Sequence, residues 1–563
     1  MTIPFTIQEK IGFPHTPPSP PPPSSFPLPL PSSPSSSSSS SSSVILDPIL
    51  RIDQLKTSFQ KLSSQQQEWL LSEIVNHCDN GQLSFLHGMV NLRLKVDFLK
   101  RLPIELALYI VSFIHDPPTL GNMACVSKHW NGLLKDETTW KNMCDLHQYR
   151  RQPFFCNYSN TMSSTAGGSF LANGGGDEYN NTNYQYTDID TASSFSYRDH
   201  FVKKYSIATA WKKGGHVKVV EQGLDGLVTS LQCDDKYIVV GCENHRIEVF
   251  DTATGNKVRS LIGHEGGVWA LQFKGDDHIE NLDDQQRILV SAGCDRDVRV
   301  WNLETGELQH TMRGHISTVR CLKMKDKQVA VTGSRDCTLR IWNVEQGTVK
   351  HVLYGHQNSV RCLDICGNVL VSGSYDNTAR VWDLTTGECR HVLVGHQSNI
   401  YSIVTDGIKV AAGSLGTHIR VWSVDTGDWL ATLHGHTSLV GQLELVPGDD
   451  TMGTTLVSGG ADGCLRVWDW DSPFECLERI SAHDNSITCL QCDDRWILTA
   501  ANDGRVKLRD RKEGRLIRTL ANPAKTVWKI QFNESKAVLL MFRTFSPTSE
   551  EGTTVLEIHD FDI

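Results

Sequence analysis

Several features are missing from this sequence of 563 residues, and each absence narrows what the chain can be. It has no run of 18 or more apolar residues, the length a helix needs to cross a bilayer. Its N-terminus lacks the basic-then-apolar stretch of a secretory leader, so nucleus or cytoplasm is the expected setting. The 16 cysteines are accordingly read as free thiols, not as a disulfide frame. Positive charge is also short: 54 Lys and Arg stand against 64 Asp and Glu, a net charge of −10. That balance opposes general attraction to nucleic acid or membrane, so any anion recognition has to be local. GxSxG, HExxH and P-loop motifs are absent, and no nucleophile stands beside a plausible base. The expected role is therefore non-enzymatic, with no cofactor and no metal. Cys489 and Cys492 form a single CxxC inside a strand-like run, without a second pair, and read as core packing.

What is present is a repeat. Gly-His or Ala-His pairs recur at 263, 314, 355, 395, 435 and 482, and most units close on an aromatic plus a polar residue. Trp301, Trp342, Trp382 and Trp422 are spaced 41, 40 and 40 residues apart, the period of four-stranded propeller blades. Runs such as VAVTGS and TLRIW are separated by Gly/Asp/Asn turns, as strands are. Asp295, Asp336, Asp376 and Asp462 each lie six residues before a closing tryptophan. A buried Asp, His, Ser/Thr and Trp N–H can satisfy one another. The six Gly-His histidines belong to different units, which favours this structural role over a metal cluster. One unit carries Gly416 in place of Asp, and another Arg509 in place of Trp. The fold class is mainly β: a propeller of about eight blades, with seven as the rival count. An early strand over Gly215–Val220 would close the ring and remove its exposed edges.

Six regions follow. Residues 1–50 are a Pro/Ser-rich tail expected to be disordered, with Ser/Thr-Pro pairs at 16, 19 and 33. Residues 51–95 are helical: Leu70, Ile74 and Cys78 lie at spacing four over Leu55–Val90, after a capping-box-like Ser64-x-x-Gln67. That helix could pack within the chain or form a homodimer; periodicity does not separate the two. In residues 96–146, Pro103 suits a helix start, and Leu106, Ile110 and Phe113 make a stripe ended by Asp116-Pro117-Pro118. A second helix carries Leu120, Met123, Val126, Trp130 and Leu133, and a third carries Trp140 and Met143. Residues 147–197 are a flexible insert, 198–214 a linker helix and 215–563 the propeller.

The pattern LPxEL…VSxxW…W over about 45 residues resembles the F-box, the module that docks on the Skp adaptor of cullin-RING ubiquitin ligases. The resemblance implies that Leu102, Pro103, Leu106, Ile110, Val126 and Trp130 form the adaptor-facing surface or the core beneath it. Helices, F-box, linker and propeller in this order resemble the F-box/WD-repeat receptors of the cell-division-control type. Those receptors recruit phosphorylated substrates for ubiquitin-dependent degradation. A non-degradative WD-repeat scaffold is the alternative.

Two neighbouring units carry Arg320 and Arg361 at one offset, and Arg335 and Tyr375 at another. Both offsets lead to the same rim, where a fork of guanidinium donors suits a phosphate. Arg340, Arg380 and Arg420 recur before the closing Val/Ile-Trp and read as structure. The resemblance assigns Arg320, Arg335 and Arg361 to the degron phosphate and Tyr375, Tyr401 and Trp269 to a groove around it. By the same resemblance, Lys529 replaces an arginine that in relatives can meet a second acidic or phosphorylated residue, and Asn399 stands where some relatives place a further arginine. These two departures change what the rim can prefer.

Overall fold

In a computed structural model of the chain, the structure describes residues 48–94, 97–149, 196–220, 224, 226–275, 286–448, 453–545 and 551–562. The tail to residue 47 with its Ser/Thr-Pro pairs, and residues 150–195 of the insert, lie outside the described residues. Two compact units divide between Phe98 and Leu99.

The first unit holds α1 (Pro48–Gln60), α2 (Ser64–Asn76) and α3 (Asn80–Leu94). The single helix expected over Leu55–Val90 is thus three, because local side chains end and restart it. The cap is also one residue earlier than expected. Gln66 Oε1 accepts from the Ser63 N–H at 3.1 Å, while Gln67 Nε2 instead donates to the Phe59 carbonyl at 2.8 Å. Asp79 and Gln82 exchange the same pair of bonds at 2.7 and 3.1 Å and start α3. Trp69, Leu71, Ile74, Phe85 and Val90 are exposed along these helices.

The boundary falls within α4 (Phe98–Arg101), and the second unit continues with α5 (Ile104–Val111), α6 (Pro117–Val126), α7 (Lys128–Leu133) and α8 (Glu137–Leu146). The expected second helix splits at Ser127, which turns extended (φ −158, ψ 162) and caps α7 by accepting from the Trp130 N–H. Asp116-Pro117-Pro118 does not end α5, which stops at Val111; it starts α6, with Asp116 accepting from the Thr119 N–H at 3.0 Å. Phe113 therefore lies beyond the helix, edge-on to Tyr109 at 4.8 Å. Leu99, Ala107, Val111, Leu120, Trp140 and Met143 fill the core of these helices. Tyr149 and Phe201 complete it, so the N-terminal edge of the expected insert is built into the fold.

A linker helix, α9 (Tyr197–Lys213), ties this module to the propeller. At its start the Tyr197 N–H donates to Glu137 at 2.6 Å. At its end Trp211 stacks on Phe561 at 3.8 Å and donates to the Glu534 carbonyl at 2.8 Å. Arg495 lies 4.3 Å from the Tyr149 ring and donates to the His147 carbonyl at 2.8 Å.

Among the described residues eight four-stranded antiparallel sheets form a closed ring. Blade 1 spans Val228–Ile262, blade 2 Val268–Met312, blade 3 Val319–Leu353 and blade 4 Val360–Leu393. Blade 5 spans Ile400–Leu433, blade 6 Val440–Ser481 and blade 7 Ile487–Thr519. The last blade combines Thr526–Asp560 with the early strand His216–Val220, which pairs with Gly552–Asp560 and closes the ring.

Polar networks hold the blades. His356 bonds Asp376 at 2.8 Å and Ser372 at 2.8 Å, and Trp382 donates to the same serine at 2.8 Å. Blades 2, 3 and 6 repeat this arrangement around His264, His315 and His436. Blade 7 keeps His483–Asp503 at 2.8 Å, while its Arg509 donates to the Gly514 carbonyl at 3.1 Å. The His and Asp thus serve as blade fasteners.

A second network joins neighbouring blades three residues past the start-side bulge in six of the eight inner strands. Gln232 clasps Phe273 through N–H and carbonyl at 2.6 and 2.9 Å, and Gln491 clasps Phe532 at 2.7 and 2.9 Å. Gln272 accepts from Met324, Asp364 from Thr405 and Gln531 from Cys233. Blade 6 places Glu444 at this position, against the Cys492 N–H. Burial pushes its carboxyl up to about 8.

Candidate functional site

All eight inner strands carry one β-bulge near their start. The bulged residues, blade by blade, are Thr229, Trp269, Arg320, Arg361, Tyr401, Gly441, Thr488 and Trp528. A bulge leaves one residue outside the ladder and re-aims its side chain. Eight bulges at the same height thus make a ring of eight side-chain positions around one mouth of the channel.

The second offset sits on the same rim. The Arg335 N–H donates to the Thr318 carbonyl at 2.9 Å, and Tyr375 to Ser359 at 3.0 Å. Cys294 and Leu415 make the same bond to Gly267 and Asn399 at 2.9 and 2.8 Å. In each case the acceptor lies two residues before the bulge, so both sets of side chains meet at one end of the ring.

Side-chain contacts group these positions into a sector. The Arg320 guanidinium lies 5.0 Å from the Trp269 ring, whose N–H donates to the Cys294 thiol at 3.0 Å. The Tyr375 and Tyr401 rings are 5.3 Å apart. Burial raises the Tyr401 phenol and its hydrogen bond to Tyr375 adds to this, while Arg361 opposes it. Among the described residues no carboxylate pairs with Arg320, Arg335, Arg361 or Lys529. Their guanidinium donors are therefore left without a neutralising carboxylate among the described residues. Below the rim a cavity of about 290 Å³ is lined by Trp269, Arg361, Cys321, Cys362 and Lys529, among others. Burial pushes the Cys321 thiol up to about 12, against the pull of Arg361, so it is no nucleophile at neutral pH.

The recurring arginines differ plainly. Arg340 and Arg380 donate to the Gly314 and Gly355 carbonyls at 2.8 Å, and Arg420 lies against Gly395. They are part of the blades' framework. Lys529 lies one residue past its bulge and lines the channel below the rim. The bulge residue of that blade is Trp528, which sequence reasoning passed over. The Val-x pattern of Val268-Trp269, Val319-Arg320 and Val360-Arg361, repeated at Val527-Trp528, was the available signal. Asn399 serves the rim through its carbonyl. Among the described residues no group of three or more His, Cys, Asp or Glu side chains could hold a metal.

The residues expected to face an adaptor lie on the helical module. Leu106, Ile110 and Val126 are 50%, 37% and 61% exposed, and Pro103 is exposed too. Ile104, Tyr109 and Phe113 extend this apolar surface. Leu102 and Trp130 pack half-buried against the core beneath.

Comparison with known families decides what these two parts are. An F-box-like model matches residues 99–145, and the WD domain, G-beta repeat model matches six stretches: 255–302, 306–343, 347–383, 387–423, 427–469 and 474–510. The chain is an F-box/WD-repeat protein. Blades 1 and 8 of this F-box/WD-repeat protein fall largely outside the matched stretches, as their missing Gly-His pairs anticipate. It is 27% identical to cell division control protein 4 of Saccharomyces cerevisiae, over 45% of this chain and 29% of that protein. It is 26% identical to the probable E3 ubiquitin ligase complex SCF subunit sconB of Arthroderma otae, over 36% of this chain and 30% of the relative. The chain thus spans under a third of the length of either. Among solved structures, the computationally designed Ika8 protein matches with a TM-score of 0.52 and 29% identity, covering 60% of this chain and 98% of that one.

Proposed function

We propose that this F-box/WD-repeat protein is the substrate-recognition subunit of an SCF-type ubiquitin ligase. Its propeller binds Ser/Thr-phosphorylated segments, proline-directed in type, at the Arg320–Arg335–Arg361 sector. Its F-box docks on a Skp adaptor and through it on a cullin-RING ligase, leading to proteasomal degradation of the bound protein. The observation that carries this reading is a set of three guanidiniums on one rim, without a carboxylate partner among the described residues, beside the aromatic rings of Trp269, Tyr375 and Tyr401. The apolar F-box surface supports the adaptor half, as does the likeness to a probable SCF ubiquitin ligase subunit. The chain itself does no bond chemistry. It supplies proximity: the linker helix is packed at both ends, so a captured substrate is held in one orientation to the adaptor. The first unit's exposed apolar helices suit pairing with a second copy of the chain.

Calorimetry with a phosphothreonine-proline peptide and its unphosphorylated twin tests the propeller half. The phosphorylated peptide should bind and the twin should not; equal affinities overturn the reading. Co-purification with a Skp adaptor tests the other half, and loss of capture by Leu106→Asp with an intact fold supports it.

A further inference from the structure

Blade 5 departs from its neighbours at three positions of one network. In blade 4 the Asp376 carboxylate is held by four donors. They are His356 Nδ1 at 2.8 Å, the Gln357 and Thr378 N–H groups at 2.9 Å each, and the Thr378 hydroxyl at 2.7 Å. The other ring nitrogen of His356 meets the Ser372 hydroxyl at 2.8 Å. Blade 5 has Gly416 for the aspartate, Ala412 for the serine and His418 for the threonine.

The consequence for His396 is an inverted tautomer in an unchanged ring orientation. Its Nε2 faces the Ala412 carbonyl at 3.2 Å. A carbonyl can only accept, so Nε2 carries the proton and Nδ1 is bare. Among the described residues, His396 Nδ1 and the backbone N–H groups of Gln397 and His418 have no hydrogen-bond partner. These are the counterparts of three of the four donors that hold Asp376. The space between them is open: a Cβ on Gly416 would meet only Ser414 Oγ at 3.3 Å and Ser398 Oγ at 3.8 Å. Arg420 is the permanent charge that bears on His396. Arg420 stands on the adjoining strand, and His418 and His434 lie with ring centres 4.4 Å apart.

We propose that blade 5 binds a carboxylate group from outside the chain beside Gly416, in the position where Asp376 supplies its own in blade 4. The ligand's oxygens accept from the Gln397 and His418 N–H groups and from His396 Nδ1. Because Nδ1 is bare in the free protein, one proton enters from solvent with each carboxylate. The imidazolium then donates to the Ala412 carbonyl on one side and to the ligand on the other. Burial, with Arg420 and His418, holds free His396 down at about 4. Binding therefore weakens by about tenfold for each pH unit above that value, until the bound histidine itself titrates. Two sources carry this chemistry, a free small acid and the Asp or Glu side chain of a partner lying on this face, and the test separates them.

Thermal unfolding of the full chain in sodium formate, against sodium chloride at equal ionic strength, tests the site at pH 5.5 and 7.5. Formate should raise the midpoint, with an affinity at least tenfold greater at pH 5.5. Gly416→Asp should raise the midpoint in chloride and abolish the formate response, because the site then carries its own carboxylate. His396→Gln keeps a donor to Ala412 and should remove the pH dependence. A formate response that persists unchanged in both variants, or none in the wild type at pH 5.5, overturns the proposal. A tetraglutamate peptide identifies the source. Binding more than tenfold tighter than formate assigns a partner's acidic side chain, and binding no tighter assigns a free acid.

Discussion

Blades 3 and 6 are built alike: a bulged inner strand, a His–Asp–Ser/Thr–Trp network and an arginine donating to the Gly-His carbonyl. They differ in what the bulge presents. Blade 3 offers Arg320, blade 4 Arg361 and blade 5 Tyr401, whereas blade 6 offers Gly441 and blade 7 Thr488. The same backbone device thus projects a charged, aromatic sector on one side of the mouth and almost nothing on the other. The ring is uniform where it must close, and it is particular only where side chains leave the ladder. If the arginine sector is the site, changing it should abolish recognition without touching the fold, and changing the bare sector should do the reverse.

The largest effect is expected from emptying the charged side. Each charge-assisted hydrogen bond contributes ~1.5–3 kcal/mol. Arg320→Ala with Arg361→Ala should therefore weaken a phosphothreonine-proline peptide by about 10² to 10⁴ fold, since ~1.4 kcal/mol is tenfold. Calorimetry measures the affinity and thermal unfolding the fold, which should hold because neither arginine has an ion-pair partner among the described residues. A loss of under threefold would mean that the two sectors do not differ in the way their charges suggest.

How far this contrast could be read from sequence depends on what writes each feature. The blade period was legible because burying a tryptophan, a histidine and an aspartate in each unit needs those residue types at fixed spacing. The closing strand His216–Val220 was legible because an unpaired sheet edge has to be covered. The bulge was not, because its eight occupants are Thr, Trp, Arg, Arg, Tyr, Gly, Thr and Trp, and no residue type marks it. Trp269 therefore enters the site through the resemblance and not through its offset, and Trp528 escapes notice in a blade lacking the Gly-His landmark. The same limit explains the N-terminal helices. Breaks at Ser63, Asp79 and Ser127 hinge on single capping side chains, against which a run of apolar spacing looks continuous.

The bare side has a weakness of its own, and correcting it should change stability alone. Glu444 in blade 6 sits where four other blades place glutamine to clasp their neighbour. Its folded-state carboxyl is raised from 4.5 to about 8 by burial, so the unfolded chain loses this proton first. The contribution of this group to stability therefore falls as pH rises from about 4.5 to about 8, then levels off. Glu444→Gln keeps an acceptor for the Cys492 N–H and removes that decline. Its unfolding midpoint should exceed the wild type's by a few degrees at pH 8 and by less at pH 5, with peptide affinity unchanged. A constant gap across that range would contradict the burial argument. A smaller effect is expected at the sector's edge. Trp528→Ala removes an aromatic contact contributing ~0.5–1.5 kcal/mol, so peptide affinity should fall about two- to tenfold if the groove reaches blade 8.

The smallest effect comes from adding charge to the bare side, and it sharpens the comparison most. Thr488→Arg puts a guanidinium at the same backbone position as Arg320 and Arg361, on the same rim, in a blade whose bulge is equivalent. If long-range attraction to a cationic mouth held the phosphate, any arginine on the ring would serve, and affinity would rise. If adjacent guanidiniums grip one phosphate at hydrogen-bond distance, an arginine four blades from Arg320 and three from Arg361 adds only a screened field. The Debye length at physiological salt is about 8 Å, shorter than the span across such a ring. Affinity should therefore change by less than about twofold, within the ±0.5 kcal/mol usual for a surface substitution. A tenfold gain would show that the ring's total charge matters more than which sector carries it.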